Sequence, residues 1–188
     1  MKLSAFYPLF CVLVFTACKK SDSTAVVKQL DCPTEVKPVV GWLQGGFLLP
    51  NAFSPNGDGK NDLLQLIMTD SLAVRNSSIS FSDSAGNTLY TLTQPGASWN
   101  GVNPVTHTYY PPGIYRADYT IVLNGKGVMP DSTISGHNCI WLIGNQATQP
   151  GYVQLPADSS VLKYLVFPDM VDPHTLQHPY STGETFWP

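Results

Sequence analysis

Apolar residues in this chain come in short runs separated by turn-forming residues. GGFLL at 45–49, LLQLIM at 63–68, SISFS at 78–82 and TLYTLT at 88–93 are bounded by Gly, Pro, Asn, Asp or Ser. Runs of this length between such breakers predict β-strands. The clearest alternation lies in Ile114–Leu123, where Tyr115, Ala117, Tyr119, Ile121 and Leu123 interleave with Arg116, Asp118 and Thr120. That period of two predicts a strand with one buried and one wet face. Cys139-Ile-Trp-Leu-Ile143 is apolar at every position and predicts a strand covered on both faces. Asn124-Gly125 and Met129-Pro130-Asp131 supply turn chemistry between the two. No stretch keeps a 3.6-residue apolar period over a helical length, and no helix pattern alternates with the strands. A parallel α/β sheet is therefore not supported, and an antiparallel β-sandwich is.

The two ends differ from this middle. Residues 1–17 carry one Lys, then an apolar run ending in small residues, the pattern of a secretory signal. The run is shorter than the ~20 residues a helix needs to span a bilayer. Phe15-Thr16-Ala17-Cys18 is similar to the lipobox of bacterial lipoproteins, in which the thiol, here Cys18, receives a diacylglycerol; Phe15 stands where Leu is usual. Two or three acyl chains on one residue anchor a protein stably. Residues 18–39 then read as lipid anchor and polar tether. Lys19-Lys20-Ser21-Asp22 resembles the charged tetrad that routes some lipoproteins of Bacteroidota-type bacteria to the outer face, which leaves surface-facing and periplasmic display both open. After Gly144 the pattern becomes irregular, and 145–188 is read as a C-terminal extension with one or two short strands.

Composition agrees with many strands and turns: charged residues make up 12%, against 15 Gly and 16 Pro. The net charge of -3 gives no basic surface to neutralise phosphates, so nucleic acid is excluded as a partner. With the signal removed and Cys18 lipidated, Cys32 and Cys139 remain in the body. An even pair outside the cytoplasm predicts a disulfide. It would close a loop of 107 residues (139 minus 32), a constraint of about 4 to 5 kcal/mol at most.

The stretch LLPNAFSPNGDGKNDLLQL, 48–66, resembles the opening of the gliding motility-associated C-terminal domain, an immunoglobulin-like module of type IX secretion cargo and other envelope proteins. The matching residues are Pro50-Asn51-Ala52-Phe53, Pro55-Asn56-Gly57-Asp58-Gly59 and Asn61-Asp62. The resemblance continues through SISFSDSAGNTLYTL, Trp99-Asn100-Gly101, Pro112-Gly113-Ile114-Tyr115 and ISGHNCIWLI, covering about 45–144. It implies an immunoglobulin-like antiparallel sandwich of about seven strands over 40–144. Two departures stand out. Ala85 precedes Gly86 where the family usually has an aromatic residue, and 44 residues (188 minus 144) follow Gly144 in a family whose sorting role belongs to a terminal domain.

Asn56, Asp58, Asn61 and Asp62 admit two readings. Their side chains can cap neighbouring backbone N–H groups around Gly57 and Gly59. Alternatively, the oxygens at 56, 58 and 62 converge on a Ca2+ ion, although the loop lacks the bidentate carboxylate of an EF-hand. Trp99 and the tyrosines of YYPPGIY read either as core or as a platform for a glycan. His174 and His178 have the spacing of zinc ligands, but Pro173 and Pro179 argue against a helix there. Ser160 and Lys163 have the spacing of a serine–lysine pair without its companion motifs. No catalytic residues are predicted. The expected protein is a non-catalytic envelope lipoprotein that binds or scaffolds, held at the outer membrane through Cys18, with an envelope protein or glycan as partner. The alternatives are a type IX secretion cargo or sorting domain and, third, a small envelope hydrolase.

Overall fold

The computed structural model describes residues 39–41, 45–69, 74–125, 130–144, 152–154, 165–177 and 185–187. The signal, Cys18, the tether and Cys32 lie outside the described residues. The chain is almost wholly β. A five-stranded sheet runs in the order β3 (Ala52–Phe53), β10 (Ser132–Leu142), β9 (Gly113–Leu123), β6 (Val74–Ser82), β7 (Thr88–Leu92). A three-stranded sheet joins β1 (Val39–Gly41), β2 (Gly45–Leu48) and β5 (Ile67–Met68), and β4 (Leu64–Gln65) pairs with β8 (Ser98–Trp99). The parallel pair β11 (Tyr152–Gln154) and β12 (Thr185–Trp187) comes from the extension.

One strand expected to be continuous is divided because the chain changes sheet. LLQLIM splits at Leu66: Leu64 faces Trp99 across β8, while Ile67 faces Leu48 across β2. Likewise β2 ends before Pro50, which has no N–H to give a ladder, and β3 resumes on the five-stranded sheet. There it lies parallel to β10, with Ala52 opposite Trp141. The expected antiparallel sandwich therefore holds apart from the parallel pairs β3–β10 and β11–β12. About seven expected strands become a larger number of short ones.

The long ladder follows the sequence pattern closely. β9 buries Tyr115, Ala117, Ile121 and Leu123 and turns Arg116, Asp118 and Thr120 away from the core. In β6 the buried positions run Val74, Ser77, Ile79, Phe81. A register shift between Val74 and Asn76 inserts the extra residue that breaks the period of two. β10 changes character along its length. Its early outward residues, Thr133, Ser135 and His137, are exposed, whereas Cys139 and then Ile143, just past its end, are buried.

Trp99 is the centre of the interior. It is fully buried, stacked on Phe81 at 4.5 Å between ring centroids and tilted against Phe53 at 5.3 Å, with Tyr90, Tyr110 and Tyr115 completing the shell. It therefore offers no face to a glycan. Its Nε1 is the buried side-chain polar atom without a hydrogen-bond acceptor among the described residues. Gly101 closes the turn after it at φ 72°, where a Cβ would lie 3.1 Å from both Leu142 Cδ1 and Pro55 Cγ. At the start of β9, Tyr115 donates its hydroxyl to the carbonyl of Pro111, pinning the corner that leads into the strand. Removing the central ring should be costly: Trp99→Ala is expected to lower unfolding free energy by about 3 to 5 kcal/mol, read from urea midpoints.

Candidate functional site

The loop between β3 and β4 is built from its own oxygens. Asp62 accepts from two backbone N–H groups, Gly57 through Oδ1 and Gly59 through Oδ2, both at 2.8 Å. Asn56 Oδ1 accepts from the Asp58 amide at 3.0 Å, and Asp58 Oδ1 from the Lys60 amide at 2.8 Å. Gly57 and Gly59 sit at φ 81° and 84°, a conformation that suits glycine and bends the chain so that these amides point inward. Three of the four residues singled out from sequence, Asn56, Asp58 and Asp62, are thus brought together in a self-capped turn. The oxygens at 56, 58 and 62 accept from backbone amides, the arrangement of a self-capped turn. No group of three or more metal-ligating His, Cys, Asp or Glu side chains is found among the described residues.

Asn61 points the other way. At φ 50°, it donates its backbone N–H to Asp169 Oδ2 and accepts the Asp169 amide on Oδ1, both at 2.9 Å. Asp169 lies in a short 3-10 turn, Pro168–Met170, of the C-terminal extension. A second junction lies one strand away. The Val166 carbonyl accepts from Asn51 N at 3.1 Å and Ala52 N at 3.3 Å, while the Val166 amide donates to Asn51 Oδ1 at 2.6 Å. Sequence reading quoted Asn51 and Asn61 as motif residues and missed these partners, which are more than 100 positions away. The regular Leu-Val-Phe run was the signal available.

Apolar contacts fill the space between the two junctions. Leu165 and Phe167 pack with Ala52 and Ile143, flanked by Trp141 and Met170. Val166, Val171 and Leu176 pack with Leu48 and Ile67. This covering explains the continuous apolarity of Cys139–Ile143: Ile140 and Leu142 enter the main core, and Trp141 and Ile143 meet the extension. Residues 165–177 are accordingly an integral layer. Asp172 closes the segment by accepting from the His174 amide and the Thr175 hydroxyl. His174 is exposed in a turn, and His178, Ser160 and Lys163 lie outside the described residues. Cys139 is buried. Its expected partner, Cys32, lies outside the described residues.

Several exposed carboxyls are held below their ordinary value of 3.8. Asp83 is lowered by hydrogen bonds from Asn87 in the β6–β7 turn, Asp118 by Arg116, Asp131 by the Gly125 amide and Asp172 by the His174 amide. Ala85, at the tip of that first turn, is exposed, so the missing aromatic leaves no gap in the core. Each carboxyl binds its proton more weakly folded than unfolded. Stability is therefore held above pH 3.8 and falls as pH drops below it, which urea titrations across that range should record. Asp62→Ala removes two amide acceptors at once and should destabilise by about 1 to 3 kcal/mol, while chelator should leave the wild-type melting temperature unchanged.

No curated protein matches the chain in sequence. One family model does match, and it describes a secretion-signal domain of type IX export. The matched stretch begins in β2, contains the whole self-capped loop and ends at the start of β10. The family read from the motifs is the family found: residues 47–133 match the CHU_C type IX secretion signal domain.

Proposed function

We propose that this chain is a lipid-anchored envelope module of the type IX secretion system's host surface, one that binds or scaffolds a partner and performs no chemistry. The observation that carries the reading is the docking of residues 165–177 onto the matched domain. In a sorting signal the segment after the domain would be dispensable. Here it supplies a buried layer and two hydrogen-bonded junctions, which suits a domain retained as a structural unit. The spent oxygens of the loop and the enclosed Trp99 favour structure over catalysis in the same way. Cys18, following its lipobox-like sequence, would hold the module on the outer membrane, and a Cys32–Cys139 bridge would fasten the tether to the outer side of β10. An envelope protein or a glycan is the partner proposed. Among the described residues no helix is long and apolar enough to cross a membrane.

The second reading, a secreted cargo, is favoured by the family itself. Fractionation separates the two. Wild-type protein is expected to sediment with membranes and enter the detergent phase, and Cys18→Ala to become soluble or remain unprocessed. Full-length unlipidated protein in cell-free medium, indifferent to Cys18→Ala, would establish cargo instead. Alkylating the unfolded, unreduced mature chain and weighing it should leave Cys32 and Cys139 unlabelled; two added labels would remove the bridge.

A further inference from the structure

The contacts around Leu165–Asp169 have the form of a bound peptide. Its backbone is added to the outer edge of β3 through Val166, whose carbonyl takes the Asn51 and Ala52 amides. Its side chains alternate, Leu165 and Phe167 to one cluster and Val166 to another. Backbone pairing at an edge with pockets for alternate side chains is how an extended peptide is recognised by strand addition. Asn51 supplies the part of the ladder that two-residue β3 cannot: its Oδ1 accepts the Val166 amide where a neighbouring carbonyl would otherwise stand. At the far end Pro168, which has no N–H, turns the chain, and Asp169 meets Asn61 in a reciprocal pair of hydrogen bonds. That pair fixes the register, because a shift of one residue would remove the carboxylate from Asn61 and exchange the two side-chain clusters.

Most of the receptor half of this contact, Leu48, Asn51, Ala52, Asn61 and Ile67, lies within the family-matched stretch 47–133; Trp141 and Ile143 follow shortly after it on and just past β10, and the occupant lies further beyond. The edge of β3 and the flank of the self-capped loop are therefore domain features, and the segment filling them is supplied from elsewhere in the chain. We propose that they form a peptide-binding groove, occupied in cis by Leu165–Asp169, for which an extended segment of a second polypeptide with three apolar residues followed by Pro-Asp competes. The resident segment lowers the apparent affinity for such a partner by the fraction of time it holds the groove.

The test uses the full-length chain in detergent and a fluorescein-labelled peptide of residues 164–172, YLVFPDMVD. Asp169→Ala in the chain loosens the resident segment and leaves the groove intact. By fluorescence anisotropy it is expected to bind the peptide about tenfold or more tightly than wild type does. A peptide carrying Asp169→Asn, or a scrambled one, should bind this variant much more weakly. Equal binding of cognate and scrambled peptides, or no gain over wild type by a variant that still melts cooperatively, would overturn the proposal. A second measurement covers the case in which Asp169→Ala does not fold. With wild-type chain and saturating peptide, hydrogen exchange should accelerate across 165–171 as the segment is displaced, while Asn51 and Ala52 stay protected. Unchanged exchange across 165–171 at saturation would equally overturn it.

Discussion

Strand β10 must be covered twice, and much of the architecture answers that requirement. Its last residues and the one beyond are apolar on both sides: Ile140 and Leu142 face the sandwich interior, and Trp141 and Ile143 face outward. A sheet face of this kind left in water would expose a contiguous apolar patch. The first cover comes from the opposing strands and the Trp99 shell. The second requires the chain to return after the sandwich is complete, and residues 165–176 do so. The change of sheet at Pro50 belongs to the same solution, since it brings β3 alongside β10 and presents an edge to which Val166 can bond.

The self-capped loop is rigid for a reason visible in its chemistry. Short polar side chains at 56, 58 and 62 satisfy amides that two left-handed glycines turn inward, so much of the loop's shape is held by bonds within it. Asn61 is directed to a distant partner, Asp169. A preformed turn loses little entropy when something docks on it, so the reciprocal pair with Asp169 adds to the Asn51–Val166 junction and the apolar contacts at little ordering cost. The loop that identifies the family is thereby also the point at which this chain secures its own added segment.

Local pattern carried most of the fold. The alternation in β9 and the two-sided apolarity of Cys139–Ile143 were legible because each depends only on neighbours in sequence and on the period of a strand. The loop residues were legible as a group, but capping and cation binding use the same oxygens, and only the directions of the amides separate them. What could not be read was set by distant partners. The division of LLQLIM depends on Trp99 and Leu48 lying in different sheets, and the roles of Asn51 and Asn61 depend on Val166 and Asp169. Trp99 was ambiguous because a ring suited to stacking on a ligand is equally suited to stacking on Phe81. The bulge in β6 left no mark in its run of Ser and Asn.

The junctions made by Asn51 and Asn61 span 115 and 108 positions, and this bears on the order in which the molecule is completed. A chain made from its N-terminus forms neighbouring hairpins before it can form contacts of such separation. Between the emergence of Leu142 and that of Leu165, 23 residues later by subtraction, the described residues of the extension that cover Trp141 and Ile143 have not yet been made. An apolar flank left open in that interval is a liability for association. Arrival of the Leu-Val-Phe run ends the interval, so the extension serves as the finishing step of biogenesis as well as a layer of the mature protein.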